Sequence, residues 1–356
     1  MKGFVHEITM PRIVFRIGAA ADIATESVRL DGQRILLIGG GHERDLADRV
    51  ARELGDRLAG RIGDVVQHVP VAVAHAAIDT ARDLGIDQLL SIGGGSAVGL
   101  AKAIARELNL PILAVPTTYA GSEMSPIWGL TDARGKQTGR DAHVLPRTVI
   151  YDSALTTSLP TRLAATSGMN ALAHAVEALY AQDVSPLVVV AAAEAVRAIA
   201  GGLGDCVTGP DDVQARARVL YGAFLSGLCL GNAVMGIHHK LCHVLGGRYD
   251  LPHSDVHPAV LPFAAEFNLD AAPEAMQRLG SALGAEAADA PVALWWLGRD
   301  VGAPTNLRDV GFDPAEIDTV AELVAHAQFA NPAQVTTTAV AQLLARACSG
   351  SPPGEG

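Results

Sequence analysis

Two short apolar runs, each closed by three glycines, constrain this chain more than any other feature. Residues 34–39 (RILLIG) lead into Gly39, Gly40 and Gly41, and residues 88–92 (QLLSI) lead into Gly93, Gly94, Gly95 and Ser96. After each run the pattern changes to helical spacing, over 45–58 in the first case and up to residue 108 in the second. Residues 111–115 (PILAV) form a third run, closed by Pro116. A continuous apolar run suits a strand covered on both faces, and a strand–turn–helix rhythm places such strands in one open parallel sheet. Composition agrees: 49% of the residues are hydrophobic but only 4% aromatic, so the core is built of Ala, Val, Leu and Ile, which suits packed helices and parallel strands rather than a β-sandwich.

From about residue 155 the texture changes. Ala-rich segments at 169–181, 186–201, 213–230, 273–284 and 315–327 carry helical spacing with no strand pattern between them. The 356 residues are therefore expected to form an α/β domain over 1–155, an all-α domain over 156–348 and a flexible tail over 349–356. A charge-free run at 219–237 is long enough to cross a bilayer, but Gly222, Gly227, Gly231, Asn232 and Gly236 within it point to a buried helix with close neighbours.

Charge and cysteine usage exclude several classes of function. Lys plus Arg number 27 against 38 Asp plus Glu, a net charge of −11, which repels phosphate backbones and disfavours nucleic acid and anionic membranes as partners. Cys206, Cys229, Cys242 and Cys348 lie far apart without a C-x-x-C pair, so neither a zinc knuckle nor a disulfide framework is expected. His6 and Glu7 interrupt the apolar stretch a signal peptide would need, and a cytoplasmic location is the expectation.

Two loops carry candidate ligand chemistry. Glycines where a strand feeds a helix let backbone N–H groups approach a pyrophosphate, and the helix N-terminus adds partial positive charge. The run Gly93 to Gly99 (GGGSAVG) has this placement, although it is not the G-x-G-x-x-G fingerprint. The next turn, 116–123 (PTTYAGSE), also leaves a strand and is crowded with hydroxyls. Five of the twelve histidines fall between 238 and 257: His238, His239, His243, His253 and His257. His239 and His243 share one helical face, after which Gly246-Gly247 is expected to break the helix. Asn170 and His174 repeat the four-residue spacing on another helix. Imidazoles converging from two helices can ligate a divalent metal, or serve as general acids and hydrogen-bond donors near neutral pH.

The segments GGGSAVGLAKAIA, PTTYAGSEMSPIWGLT, GKQTGRD, VLPRTVIYD, TSGMNALAHAVEALYA and HHKLCHVLGGRYDLPHSDVH together resemble the maleylacetate reductases, a branch of the iron-containing alcohol dehydrogenase superfamily. The similarity runs from about residue 4 to 344. It implies the dehydroquinate synthase-like fold: an α/β N-terminal nucleotide-binding domain, an all-α C-terminal domain and a cleft between them. It also implies a small dicarboxylate substrate and a homodimer. The resemblance puts a cofactor pyrophosphate on Gly94, Gly95 and Ser96, further cofactor contacts on Thr117, Thr118 and Ser122, the adenosine ribose by Gly39 and Gly40, and Lys136 near the nicotinamide ribose. NADH is the implied cofactor. NADPH stays open, because no acid directly follows the first glycine-closed strand and Arg44 lies a little beyond.

Metal-dependent relatives hold iron or zinc with an Asp and three histidines, and those positions here are Asn170, His174, His239 and His253. A neutral amide in place of the carboxylate binds a cation far less well, so the expectation is an enzyme without metal. In the implied reaction His243 is the proton donor, with His239, His253 and His174 stabilising an oxyanion. Asn170, Tyr119, Arg140, Lys240 and His257 are the candidate substrate contacts. Two departures set this chain apart. It reads Asn331-Pro332-Ala333 where the reductases tend to show Asn-Pro-Arg, and Ala72 stands after His68-Val69-Pro70 where an acid is often found. These losses keep open a non-redox cyclase or lyase on the same scaffold, and a metal-dependent alcohol dehydrogenase is the third reading.

Overall fold

The computed structural model describes residues 4–66, 69–132, 135–182 and 184–355, with the side chains of His42 and Lys136 outside that description. His68 also lies outside the described residues. The chain divides into two compact units, one over 9–159 and the other over 160–356 together with the first eight residues. The division thus falls at Leu159 and Pro160, a few residues later than the sequence pattern suggests, and the start of the chain belongs with the helical unit.

The α/β unit runs β1 (Arg12–Phe15), α1 (Ile23–Arg29), β2 (Ile35–Ile38), α2 (Arg44–Leu54), β3 (Leu58–Ile62), α3 (Val71–Asp83), β4 (Gln88–Gly93), α4 (Gly95–Leu108), β5 (Ile112–Pro116), β6 (Ile127–Asp132), β7 (Gly135–Arg140) and β8 (Thr148–Tyr151). Six strands form a parallel sheet in the order β1-β8-β5-β4-β2-β3, and β6 pairs antiparallel with β7 in a separate hairpin. Successive side chains point to opposite faces of a strand. Ile35, Leu37, Leu90, Ile92, Leu113, Val115 and Ile150 accordingly share one buried face, packed with Ile23, Ala47, Val50 and Leu54. Leu36, Leu89, Ile112 and Val149 are buried on the other. Covered faces on both sides explain why these strands read as unbroken apolar runs. The chain order along the sheet reverses between β2 and β4, which brings the two glycine turns to the carboxyl edge at the switch point where open α/β sheets bind ligands.

The helical unit comprises α5 (Thr161–Tyr180), α6 (Pro186–Thr208), α7 (Val213–Asn232), α8 (Ile237–Tyr249), α9 (His253–Phe267), α10 (Pro273–Leu283), α11 (Ala290–Asp300), α12 (Ile317–Ala325) and α13 (Thr337–Ala347). The run 219–237 is not one helix: α7 ends at Asn232, and α8 starts at Ile237 with a bend of 93° between them. α6 is itself long and apolar enough to cross a membrane, and Val188, Ala192, Ala195, Val196 and Ile199 along it are buried within the unit. Gly246 and Gly247 do not break α8, which continues to Tyr249 and stops where Asp250 adopts a left-handed conformation (φ 52°). The tail read as flexible folds back onto the unit: Pro353 is buried and the Gly354 N–H donates to Glu266 Oε1 at 3.1 Å.

Candidate active site

Each unit carries one half of the expected constellation. In the α/β unit, Gly94 caps α4 and its backbone runs so close to the next turn that a Cβ would lie 3.0 Å from Thr118 Cγ2. Ala120 faces the Cβ position of Gly95 at 3.5 Å. The turn after β4 and the turn after β5 therefore converge into a backbone cradle with the N-terminus of α4 at its floor, which fits a pyrophosphate. Gly39, at the end of β2, donates its N–H to the Ile62 carbonyl at 3.0 Å, holding the first glycine turn beside β3. Thr117 donates its hydroxyl to Glu43 Oε1 at 2.7 Å, and that carboxylate lies by Gly93.

The loop after β5 is pinned from below by Lys102 on α4. Its fully buried ammonium donates to the carbonyls of Ser122 (2.6 Å), Ser125 (2.7 Å) and Ile127 (2.7 Å). Burial pushes Lys102 down to about 7, while the charge of Glu123 opposes that shift. Lys136 lies on β7, its side chain outside the described residues. Arg140, at the end of the same strand, is exposed. Tyr119 corrects an expectation: it is fully buried with its hydroxyl 3.5 Å from Thr156, so it is a core residue of this unit rather than a substrate contact.

The helical unit gathers six histidines from three helices. His174 comes from α5, His238, His239 and His243 from α8, and His253 and His257 from α9. His174 and His239 stack with ring centroids 4.9 Å apart, and His243 stacks on His253 at 6.1 Å. His243 is exposed and His253 partly so, whereas His174, His238, His239 and His257 are buried. Burial, reinforced by the neighbouring imidazoles, pushes His174, His238 and His257 well below the ordinary histidine value, so all three are neutral near pH 7. Lys240 on α8 and Asn170 on α5 are partly buried, and Asn170 Oδ1 has no hydrogen-bond partner.

Sequence reasoning missed Glu177. It is fully buried on α5, three residues after His174, and its carboxylate receives the start of α8. It accepts from the backbone N–H of Gly236 (3.1 Å), His238 (2.9 Å) and His239 (3.4 Å), and from His239 Nδ1 at 2.6 Å. A carboxylate at a helix N-terminus is well placed for the unsatisfied N–H groups and the helix dipole. Gly236 must be small there, since a Cβ would lie 3.1 Å from Glu177 Oε1 and 2.9 Å from Asn331 Oδ1. With Nδ1 donating to the carboxylate, His239 turns Nε2 to the opposite side, where that atom is buried with no partner. Asn331, the first residue of the Asn-Pro-Ala stretch, also serves this junction: its Oδ1 accepts from the Ile237 N–H (3.3 Å), and it exchanges bonds with Asn268.

As ligands for a divalent cation these donors are weaker than a set that includes a carboxylate. Asn170 supplies an amide where a carboxylate is needed, and His253 Nε2 is engaged by His257 Nε2 at 3.0 Å. Among the described residues, the donor group that converges within 4.8 Å is instead His238, Cys242 and His257. There the two imidazoles are hydrogen-bonded to each other at 2.8 Å, and burial with the charge of Glu177 keeps the Cys242 thiol well above its usual value, hence protonated.

A glycine-cradled α/β unit followed by a helical unit with a histidine cluster is the arrangement that comparison with known proteins identifies. The sequence pattern of iron-containing alcohol dehydrogenases matches residues 11–153, that of the Fe-containing alcohol dehydrogenase family, C-terminal, matches 164–348, and the chain belongs to this family. Within it the similarity is strong to maleylacetate reductases. The protein of that name from Burkholderia cepacia is 44% identical over 353 residues, covering 99% of this chain and 100% of its own length. The one from Delftia acidovorans is 43% identical over 98% of this chain and 99% of its own. The crystal structure of maleylacetate reductase from Agrobacterium tumefaciens superposes with a TM-score of 0.95 at 40% identity, covering 99% of this chain and 100% of that one.

Proposed function

We propose that this chain is an NADH-dependent reductase of maleylacetate or a closely related 4-oxo-2-enoate, yielding 3-oxoadipate or its counterpart. The observation that carries the reading is the histidine cluster with Asn170 at the acid position, found in a chain so similar to maleylacetate reductases over its whole length. When bound, NADH supplies the hydride that adds to the alkene carbon β to the ketone. The electron pair of the C=C bond then moves toward the ketone oxygen, and a proton must reach the adjacent carbon, so one hydride and one proton are added in all.

The histidines serve both needs. His174 and His253 offer ring N–H groups to the developing oxyanion, and His239, its Nδ1–H held by Glu177, presents its Nε2 lone pair to the substrate. His243, exposed and stacked on His253, delivers the proton and regains it from solvent. Asn170 and Lys240 hold the carboxylates of the small dicarboxylate substrate, with Arg140 as a further cation. No step calls on a metal. Gly94, Gly95, Ser96, Thr117, Thr118 and Ser122 hold the cofactor, with Gly39 and Gly40 toward its adenosine end.

Mixing the protein with NADH and maleylacetate and following nicotinamide absorbance tests this reading. Rapid oxidation is expected, and His243→Ala lowers turnover by about two orders of magnitude. No oxidation with maleylacetate in a protein that binds NADH overturns the substrate. No binding of NADH or NADPH favours the non-redox reading that the Ala333 and Ala72 departures motivate.

A further inference from the structure

Behind the exposed histidines lies a single file of imidazoles. His238 Nε2 meets His257 Nδ1 at 2.8 Å, and His257 Nε2 meets His253 Nε2 at 3.0 Å. His257, expected as a substrate contact, is fully buried between the other two. We propose that His257 and His238 are positioning residues that fix the tautomer of His253, so that His253 carries its proton on Nδ1 and keeps its Nε2 lone pair turned inward.

A neutral imidazole has one N–H and one lone pair, and each nitrogen–nitrogen contact needs one of each. With each ring neutral, the three can be protonated in only two ways. In the first, His238 donates from Nε2 to His257 Nδ1, His257 donates from Nε2 to His253 Nε2, and His253 has its proton on Nδ1. In the second every bond is reversed, and the leftover proton falls on His238 Nδ1. That atom is buried with no partner among the described residues. A buried unpaired N–H is costlier and rarer than a buried unpaired lone pair, which selects the first arrangement. Cys242 Sγ, 3.6 Å from His238 Nε2, fits the same choice as a weak second acceptor for that N–H.

The consequence reaches the reaction. A His253 locked with Nδ1–H is a hydrogen-bond donor from that atom, suited to a developing oxyanion, and its Nε2 lone pair is withheld from a metal. What the donor is for rests on the reductase reading above, whereas the tautomer does not.

The test uses full-length protein labelled with 15N in histidine and two-bond 1H–15N correlation spectra, with rings assigned by single His→Gln variants. The expected result is Nε2–H for His238 and His257 and Nδ1–H for His253. Nε2–H on His253, or rapid averaging of its two tautomers, overturns the proposal. In kinetics, His257→Phe is expected to lower kcat by about tenfold or more at unchanged KM for NADH, with partial recovery in His257→Gln, whose amide can still donate to His253. A folded His257→Phe enzyme with wild-type kcat overturns it, and if that variant does not fold the wild-type spectrum still decides. A locked His253 in a protein that fails to reduce maleylacetate removes the reductase reading and leaves the tautomer lock standing.

Discussion

Glu177 and His239 show how a side chain acquires a role only when another element arrives. On α5 alone, Glu177 is one carboxylate in an Ala-rich helix, and such a residue reads as part of a solvated face. Its meaning depends on α8, which begins only at Ile237 and with the preceding Gly236 brings three N–H groups and an imidazole to it. The histidines were legible because their four-residue spacing and their concentration between 238 and 257 are local features. Their depth was not, and so His257 looked like a substrate contact and His238 like a neighbour of no consequence. Glu177→Gln keeps the shape but offers a weaker acceptor to His239 Nδ1. The variant is expected to lower kcat by about 10- to 100-fold and to leave NADH affinity unchanged. Steady-state kinetics with a separate NADH titration checks it, and an unchanged kcat would show that Glu177 serves the helix start alone.

The elements legible in the sequence are apolar runs with a marked end, whereas the short buried strand β8 went unread. The strands β2, β4 and β5 are covered on both faces, so their sequences are unbroken apolar runs, and the glycine turns mark their ends. The edge strands β1 and β3 are only partly buried, and their mixed patterns conceal them. The β6–β7 hairpin was hidden for the same reason. In the helical unit, α8 was legible only through the spacing of its histidines and α9 was not read as a helix, because buried histidines stand at positions that an amphipathic pattern reads as polar. The glycine turn gives a prediction that belongs to the element rather than to any one side chain. In Gly94→Ala the new Cβ meets Thr118 Cγ2 at 3.0 Å, so the turns after β4 and β5 must part by a few tenths of an ångström. NADH affinity is expected to weaken by about tenfold, equivalent to ~1.4 kcal/mol, with Tm nearly unchanged. Fluorescence titration with NADH and a thermal melt measure both quantities; unchanged affinity would take the cradle out of cofactor binding.

For the molecule as a whole, the net charge of −11 describes a solvated shell around a core in which burial holds three imidazoles, His174, His238 and His257, neutral. This fixes the sign of its acid response. His174, His238 and His257 bind protons well below their ordinary value in the folded protein, because burial penalises the cation, whereas in the unfolded chain they titrate near 6.5. Below that pH the unfolded state holds more protons than the folded one, so their contribution to stability is fully present above about 6.5 and is lost as the pH falls. Each of the three contributes a slope of about 1.4 kcal/mol per pH unit once the unfolded form is protonated. Together they give at most about 4 kcal/mol per pH unit, a large fraction of the stability of an ordinary domain. Urea denaturation at pH 7.5, 6.5, 5.5 and 5.0 is expected to show a shallow fall through pH 7, where the buried Lys102 takes up its proton in the folded state, and a steep fall below 6.5, where unfolding adds protons to the three imidazoles. Replacing His238 by Phe removes one of these groups and should shallow the fall. A stability that stays level from pH 7.5 to 5.0 would mean that the core histidines are reached by water and protonated in the folded state, and the neutral imidazole file would fall with them.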